Sequence, residues 1–532
     1  MLALVILLCY FAVKALLSPG YFSMHDDQQV ARLFELHKAL TLGQFPVRWV
    51  DGLGFGYGYP LFNFYPPLVY YLGEIYHLIL QAGFIDSIKL VWATALIGSA
   101  VSMYFLSKNF FGKLGGIVSA VFYLYHPYHA VDAYVRGALA ELFSFVWLPL
   151  ILLFSYKNKP ILTGIFLGLL MVTHNLIFLP FVGIYILWSI AFKKNFIIPI
   201  IIGLGLSSFF WLPALLEKQF TLVDSILIKN LASYKIHFVC LSQLFYSPWG
   251  FGGSVAGCFD GLSFAMGKIY LLATGVALLV AIVKKSRVGL VSFLLLAISL
   301  FMTLPYSQFI WDKIPQLWYL QFPWRFLEFA ALFSALLVGN LNKKIFAILL
   351  IPLVIFVNAK YFSPQTNYLD TTDERLISNQ EIKWHVSSTS FEFMNGKVAT
   401  KLNDKGAVWA DINETQIQKS KIKIQKGDWE TEKEDFKPDR FILVGRSQKG
   451  ATIQFQISNF PGWKLWLDDK PKEFDDNNPY RLLSLNVPPG EHTIVGKFAN
   501  TPVRTVGNTI SILLGILLVF GAIKQKVYDK KS

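Results

Sequence analysis

Long apolar segments separated by short polar ones run through most of the chain. Lipid offers the backbone no hydrogen-bond partner, so such segments form helices whose amide groups pair internally. A full membrane span needs roughly 20 residues, and several of these segments are shorter. The pattern predicts a polytopic α-helical membrane protein with about twelve transmembrane helices, near residues 1–17, 87–107, 114–128, 142–156, 160–174, 176–192, 196–213, 267–283, 288–304, 326–341, 345–357 and 507–523.

Residues 66–82 are apolar enough for a further span, yet they contain Glu74 and His77. Counting them as a span would reverse the sidedness of every loop that follows. We therefore predict an amphipathic helix that lies flat at the outer membrane interface.

Basic residues set the orientation, because cytoplasmic loops carry an excess of Lys and Arg. Placing every basic cluster inside puts both termini in the cytoplasm and predicts outer loops at 18–86, 129–141, 214–266 and 305–325. The expected location is the plasma membrane, crossed many times. The clusters are Lys108/Lys113, Lys157/Lys159, Lys193/Lys194, Lys284/Lys285/Arg287, Lys343/Lys344 and Lys524/Lys526/Lys530/Lys531.

Residues 358–506 read as ordinary water-exposed protein. Ile422-Lys423-Ile424 and residues 452–457 alternate apolar and polar side chains, and Asp468-Asp469 and Pro489-Gly490 are turn pairs. These signals predict β-strands and hairpins. The predicted organisation is a transmembrane domain at 1–357, an extracytoplasmic β-sandwich domain at 358–506, and a final helix with a cytoplasmic tail at 507–532. Trp463, Trp466 and Tyr480 could stack on a sugar, although Trp463 also suits a core position.

Composition supports a membrane protein and excludes a nucleic-acid binder. The chain is 54% hydrophobic and 15% charged, with a mean hydropathy of +0.47, whereas soluble proteins carry about 25% charged residues. The net charge of +14 lies in loop clusters rather than on a basic face. The apolar N-terminus has no basic region or A-x-A site, which favours an uncleaved helix over a signal peptide.

The three cysteines leave one question open. Cys9 lies in the first predicted helix. Cys240 and Cys258 share one predicted outer loop, where a disulfide is permitted and two free thiols are the alternative.

Ionisable residues near membrane depth are costly and are therefore functional candidates. The first loop opens with His25, Asp26 and Asp27, followed by Arg32, Glu35 and His37. Further on come Arg48 and the Gly-aromatic alternation that contains Tyr57 and Tyr59. That alternation could let the backbone approach a ligand while the rings pack a sugar or lipid, or it could form a tight aromatic turn.

The second loop region holds His126, His129, Asp132, Arg136 and Glu141. The two histidines with Asp132 could ligate a metal, and Asp132 with Arg136 could equally be an i, i+4 ion pair. His174-Asn175 and Trp324-Arg325 lie at further predicted outer helix ends. Arg325 could grip a lipid phosphate or anchor its helix at the interface.

Several of these segments resemble the GT-C superfamily of membrane glycosyltransferases. HDDQQVARLFELHKALTLGQFPVRW, GYGYPLFNFYPPLVYYL, Arg136-Gly137-Ala138-Leu139-Ala140-Glu141, THN and FPWRF are similar to the prokaryotic membrane family named "6-pyruvoyl-tetrahydropterin synthase-related". FPGWKLWLDDKP and VPPGEHTIVGKF resemble the β-sandwich ending of YfhO-type membrane glycosyltransferases. A pterin synthase needs a zinc-binding histidine cluster on a soluble barrel, and the sequence offers no such set.

The resemblance implies a hexosyltransferase-type enzyme. It would pass a sugar from a polyprenyl-phosphate carrier, with inversion, to a glycan, lipid or protein acceptor on the outer face. Asp26, or its neighbour Asp27, would be the general base, and Asp132 or Glu141 would orient it or hold a metal. Arg136 or Arg325 would neutralise the departing phosphate. Substrate contacts are expected from His25, Arg48, Tyr57, Tyr59, His174, Asn175 and Trp324.

No metal ligand is assigned, although a divalent cation, Mg or Mn, remains possible. Two other functions stay open: a transporter or flippase of a lipid-linked glycan, and a non-catalytic membrane scaffold. Transporters usually show inverted repeats and broken helices with polar residues at the midplane. The sequence shows no repeat, and its polar residues gather in the outer loops.

Overall fold

Helices form most of the first 358 residues and the C-terminal end of the chain. The computed structural model describes residues 1–226, 233–396 and 420–529. Parts of three predictions lie outside the described residues: 227–232 of one predicted outer loop, 397–419 of the predicted β-domain, and Lys530/Lys531 of the tail. The helices are Leu2–Leu8, Tyr10–Val13, Gln29–Thr41, Leu61–Phe64, Leu68–Leu80, Phe84–Leu124, Pro127–Ala130, Leu139–Tyr156, Pro160–Thr173, Asn175–Ala191, Ile197–Leu206, Ser208–Glu217, Val223–Ile226, Leu241–Phe245, Lys268–Val283, Arg287–Thr303, Gln308–Lys313, Leu327–Val338, Lys344–Asn358, Asp373–Leu376, Ser387–Thr389 and Pro502–Asp529.

The chain is a polytopic membrane protein, but the predicted number of spans is not confirmed. Each predicted membrane segment contains a helix. Within the described ranges, however, only 4 helices are long and apolar enough to cross a membrane, or up to 6 if each bent pair forms one span. Several others have 10–17 residues. At 1.5 Å per residue these are shorter than a hydrocarbon core of about 30 Å.

The long Phe84–Leu124 element is a helical hairpin. Gly112 has φ 72° and ψ −174°, which breaks the helix. Ser107 Oγ lies 2.7 Å from Ser119 Oγ, although a straight helix would separate these residues by about 18 Å. The two halves are therefore antiparallel, as predicted for 87–107 and 114–128, and the hairpin tip lies at Lys113.

The Leu68–Leu80 helix is amphipathic, as predicted. Glu74 is buried and its Oε1 lies 2.9 Å from Nδ1 of His37 on the neighbouring helix. Ile75, Leu78 and Ile79 on its other side are exposed. Such a face suits lipid contact, and its position at the membrane interface stays a prediction.

The C-terminal region is a two-sheet antiparallel β-structure. The strands are β1 Tyr21–Phe22, β2 Asn367–Tyr368, β3 Ile422–Gly427, β4 Glu430–Lys437, β5 Arg440–Ser447, β6 Ala451–Ser458, β7 Trp463–Leu467, β8 Lys470–Lys472, β9 Leu482–Val487 and β10 Gly490–Phe498. The larger sheet has the order β4-β5-β10-β7-β8 and the smaller one β3-β6-β9, while the short strands β1 and β2 pair separately. Leu443, Ile453, Phe455, Leu485 and Ile494 fill the space between the sheets.

The alternation and turn signals of the sequence correspond to this sandwich. Asp468 and Asp469 have φ 52° and 63° and connect β7 to β8, as expected for a tight hairpin with two left-handed residues. Trp463 is buried, with its ring 5.7 Å from that of Trp49. It is therefore a core residue rather than an exposed sugar platform.

The segment before the sandwich differs from the prediction. Residues 359–396 contribute no strand to either sheet. Instead β2 pairs with β1 of the first loop, Tyr21 opposite Tyr368, and the turn Glu381–Val386 is a short π-helix. The final helix begins at Pro502 rather than near 507.

A buried ion pair fixes the start of the last helix to the membrane part. Arg504 is fully buried, and its Nη2 lies 2.9 Å from Oε2 of Glu217. Asn63 of the first loop donates to the same oxygen at 2.7 Å. Elsewhere Cys240 and Cys258 form a disulfide, whereas Cys9 is a buried free thiol.

Candidate functional site

The second loop folds into two tight helical turns. His126 caps the turn Pro127–Ala130 by accepting from Tyr128 N at 3.2 Å. Residues Val131–Arg136 then form a π-helix, a conformation often found at functional sites. Gly137 ends it with φ 68°, and a Cβ there would lie 2.4 Å from Sδ of Met24. Only glycine allows the first loop to pack this closely.

Glu141 is the centre of a buried charge cluster. Its Oε1 accepts from Tyr128 Oη at 2.6 Å and lies 2.8 Å from Arg136 Nη1. Its Oε2 accepts from Arg136 Nη2 at 2.9 Å and lies 3.0 Å from Nε of Arg325. His174 Nε2 is 3.8 Å away. Four predicted site residues from three separate segments therefore meet: Arg136, Glu141, His174 and Arg325.

Asp132 joins this cluster through Arg136, which donates to its Oδ1. The residue is fully buried, and its Oδ2 has no partner among the described residues. Burial, together with the neighbouring Glu141 carboxylate, raises the pKa of Asp132 well above its ordinary value in spite of Arg136. Asp132 therefore shares Arg136 with Glu141.

The first loop brings an exposed carboxylate to this cluster. Asp26 N donates to Arg136 O at 2.8 Å, and His25 N donates to Val135 O at 3.1 Å. The Gln29 amide bridges the carbonyls of Asp26 and Gly137 at 3.1 and 2.9 Å. Asp26 and Asp27 are both exposed and precede the helix that begins at Gln29.

The two adjacent acids have different surroundings. Asp26 is close enough to Asp132 to act on it electrostatically, whereas Asp27 is near His385 and Arg32. The side chain of His25 is bound elsewhere, with Nε2 2.9 Å from Phe251 O. Of the three residues that open the loop, Asp26 is thus the one associated with the buried cluster.

Trp324 covers the cluster from one side. The Arg136 guanidinium carbon lies 4.7 Å from the centre of its ring, and Phe322 stacks on it at 4.8 Å. Arg325 donates from Nη1 to Leu320 O at 2.8 Å.

The predicted residues His174 and Asn175 lie at a helix start. Asn175 begins the helix, and His174 caps it by accepting from Ile177 N at 3.0 Å.

Sequence reasoning missed Glu328 and Ser144. Both are fully buried, and the Ser144 hydroxyl donates to Glu328 Oε1. Oε2 of Glu328 has no partner in the described part of the chain, and the Glu141 and Asp132 carboxylates are close enough to act on it electrostatically. A signal was present: Glu328 is the single charged residue of the predicted helix 326–341, and intramembrane acids are functional candidates.

The residues do not fit a divalent cation at this cluster. No group of three or more His, Cys, Asp or Glu with suitable geometry occurs among the described residues. His126 packs against Tyr270 and His129 stacks on Phe145, so both rings are held by aromatic packing. Two guanidinium groups already enclose Glu141, so a cation there would be repelled. We derive no step through a metal.

Arg48, Tyr57 and Tyr59 lie away from the cluster, in contact with the C-terminal part of the chain. Arg48 is buried and donates to Asn63, Phe209 O and Asn508 at 2.9–3.0 Å. Tyr57 stacks on Tyr480 with ring centres 5.6 Å apart. Tyr59 Oη accepts from Phe393 N at 3.1 Å. The Gly-aromatic loop is thus a packing element, as the alternative interpretation held, and the predicted substrate role is not supported by these contacts.

Fold and site together define a polytopic membrane protein in which the first two loops join an exposed acid to a buried Arg-carboxylate cluster.

No protein-family model and no curated protein matches the chain. Two solved structures are weakly similar. Arabinofuranosyltransferase AftD from Mycobacteria has 15% identity and a TM-score of 0.43, covering 70% of this chain and 27% of its own. The Archaeoglobus fulgidus oligosaccharyltransferase in the apo form has 14% identity and a TM-score of 0.41, covering 73% and 55%.

The chain thus corresponds to about a quarter of the first protein and about half of the second. Both TM-scores are below 0.5, and nothing about activity follows from them.

Proposed function

We propose that the chain is a GT-C-type membrane glycosyltransferase. It would transfer a sugar from a polyprenyl-phosphate donor to a hydroxyl acceptor on the outer face of the membrane, with inversion. The observation that supports this most strongly is the contact between the first two loops. There the exposed Asp26 adjoins the buried cluster of Asp132, Arg136 and Glu141 through the backbone bond from Asp26 N to Arg136 O.

The proposed reaction needs a base and an anion site close together. Asp26 accepts the proton of the acceptor hydroxyl while that oxygen attacks the anomeric carbon of the donor sugar. The bond from that carbon to the phosphate oxygen breaks, and polyprenyl phosphate leaves from the opposite face. The guanidinium groups of Arg136 and Arg325 would stabilise the phosphate, because fixed charges in a dry site act strongly. Asp26 is outside the buried cluster, where a water-borne acceptor can reach it.

Substituting Asp26 tests this proposal. Asp26→Asn keeps the size of the side chain but removes its basicity, so release of polyprenyl phosphate from a panel of undecaprenyl-phosphate hexoses should fall about 10²–10⁴-fold. Binding of undecaprenyl phosphate itself should not change. The full-length protein in lipid vesicles is the sample for both measurements.

Asp27→Asn is the matched control, because it removes an adjacent acid whose charged neighbours include His385 and Arg32. Its activity should stay near that of the wild type. Loss of activity in Asp27→Asn, with full activity in Asp26→Asn, would show that Asp27 and not Asp26 is the base. A wild-type protein that binds undecaprenyl phosphate but releases none from any donor would contradict the transferase proposal.

A further inference from the structure

A cleft of about 300 Å³ opens at the end of the helix bundle that the basic clusters assign to the cytoplasm. Four chain segments meet there: the end of the first half of the helical hairpin, just before Gly112, the end of the Leu139–Tyr156 helix, the residues after the Asn175–Ala191 helix, and the start of the Arg287–Thr303 helix. Its volume is at the lower end of the range of small-molecule sites. The lining residues are Phe110, Phe111, Tyr156, Phe192, Lys194, Ser286, Arg287 and Val288.

The cleft is positively charged and no acid in the described chain compensates it. Lys194 and Arg287 are its two charged lining residues. Neither forms an ion pair with any described residue; Arg287 donates to the carbonyl of Ala191, which leaves its charge uncompensated. Two adjacent cations without a counterion repel each other, and a bound anion would relieve that repulsion.

The walls of the cleft are aromatic, and the half-buried Lys194 and the exposed Arg287 lie against them. The ring of Tyr156 lies 4.5 Å from that of Phe110 and 5.3 Å from that of Phe192. Lys194 Nζ is 5.3 Å from the centre of the Tyr156 ring, and the Arg287 guanidinium carbon is 5.7 Å from that of Phe192. Each cation therefore lies beside an aromatic ring. Charged and apolar groups side by side suit a ligand with a charged head and an apolar tail.

The position of the cleft favours a membrane component as its ligand. Tyr156 is the last residue of a helix that is long and apolar enough to cross the membrane. The cleft therefore opens at the level where hydrocarbon meets water, a level at which Tyr and basic side chains are enriched. Basic pockets between helices on the cytoplasmic side bind anionic lipid head groups.

We infer that this cleft binds the phosphate of an anionic phospholipid of the cytoplasmic leaflet, with Lys194 and Arg287 on the phosphate and the acyl chains along the neighbouring helices. The site is at the opposite end of the bundle from the predicted acceptor side. It does not depend on the proposed transferase activity.

Lipid retention by the full-length protein tests the inference. Nanodiscs of phosphatidylglycerol and of phosphatidylcholine are the two lipid environments, and native mass spectrometry counts the lipids that remain bound. The wild type should retain phosphatidylglycerol preferentially. The double variant Lys194→Gln/Arg287→Gln should lose that preference, with at least about a tenfold weaker affinity, which corresponds to about 1.4 kcal/mol.

Lys159→Gln/Lys285→Gln is the matched control. It removes the same charge from the same end of the bundle, at exposed positions outside the cleft, and should keep the preference. Equal loss in both double variants would show a diffuse surface effect and overturn the site. Displacement of the lipid by inorganic phosphate or glycerol phosphate at equal concentration would assign the site to a soluble anion instead.

A folding defect is separated from a binding defect by the melting temperature in phosphatidylcholine, which should be the same for all variants. If Lys194→Gln/Arg287→Gln melts at a lower temperature in phosphatidylcholine, Lys194→Arg/Arg287→Lys is measured in its place, because this variant keeps both charges. It should retain phosphatidylglycerol, and its failure to do so would contradict the inference.

Discussion

Glu141 carries the electrostatic balance of the candidate site. Its carboxylate contacts Arg136, Arg325 and Tyr128, and all of these groups are buried. Buried ion pairs contribute little net stability when both partners are present, but removing one partner leaves an uncompensated charge in a medium of low dielectric constant. The cluster is therefore sensitive to the loss of its central acid.

Glu141→Gln should destabilise the protein by about 3–5 kcal/mol. The amide keeps the shape of the side chain but leaves Arg136 and Arg325 without their shared counterion. Thermal unfolding in detergent measures the effect. Glu430→Gln is the control, because Glu430 pairs with Arg446 in an exposed position and its loss should change little. A wild-type melting temperature for Glu141→Gln would show that another group neutralises the two arginines.

Glu35 makes stability depend on pH. Burial and the nearby Asp51 raise the pKa of Glu35 from 4.5 to about 7, although Lys38 opposes the shift. Because the folded-state pKa is raised, the folded protein favours the protonated acid. That contribution to stability is complete below about pH 4.5 and is lost as the pH rises through about 7.

Glu35→Gln should remove this loss, because the amide imitates the neutral acid and its oxygen can still accept from Gly52 N, which lies 2.8 Å from Oε2 of Glu35. The wild type should lose up to about 1.4 kcal/mol per pH unit within this window, and the variant should lose less. Melting temperatures between pH 4.5 and 8 provide the measurement.

Asp51→Asn is the contrasting variant for that experiment. Burial alone would raise the pKa of Asp51, but Lys38 and Lys421 lower it, so this acid stabilises the fold in its charged form. Asp51→Asn should therefore lower the melting temperature at pH 8. Parallel pH profiles for wild type and Glu35→Gln would exclude Glu35 as the titrating group.

At the scale of elements, the sequence predicted those helices, strands and turns that depend on the local pattern of residues. Apolar runs placed the helices, period-two alternation placed β3 and β6, and the basic cluster Lys108/Lys113 separated the two halves of the hairpin, which break at Gly112. Local signals decide these features because each depends on neighbours within a few residues.

Long-range packing explains what the sequence did not predict. Arg48 and Tyr57 look like ligand-binding residues in isolation, yet their contacts are Asn508 and Tyr480, more than 400 residues further on. The pairing of β1 with β2 joins positions about 345 residues apart. No periodicity encodes such pairs. The residues of the buried cluster were easier to single out in the sequence, because a charged residue in an apolar chain is conspicuous wherever it occurs.

At the scale of the whole molecule, the disulfide and the basic clusters give a consistent orientation. Cys240 and Cys258 are bonded within the 214–266 loop, and disulfides persist in oxidising compartments outside the cytoplasm. The hairpin tip at Lys113 and the exposed Lys285 belong to the basic clusters, which favour the cytoplasmic side. The side of the membrane on which the sandwich lies remains a prediction.

Cysteine labelling with a membrane-impermeant maleimide on intact cells tests that orientation. The natural cysteines give little background, because Cys9 is buried and Cys240 and Cys258 are bonded to each other. Asn477→Cys, on an exposed loop of the sandwich, should be labelled from outside. Lys285→Cys, between two helices, should be labelled only after the membrane is permeabilised. Gln44, although in the predicted first outer loop, is buried and donates to Trp49 O at 2.8 Å, so a cysteine there would report burial instead of sidedness. Labelling of Lys285→Cys in intact cells would show that the orientation is the reverse of the predicted one. The cluster around Glu141 would then lie on the cytoplasmic side.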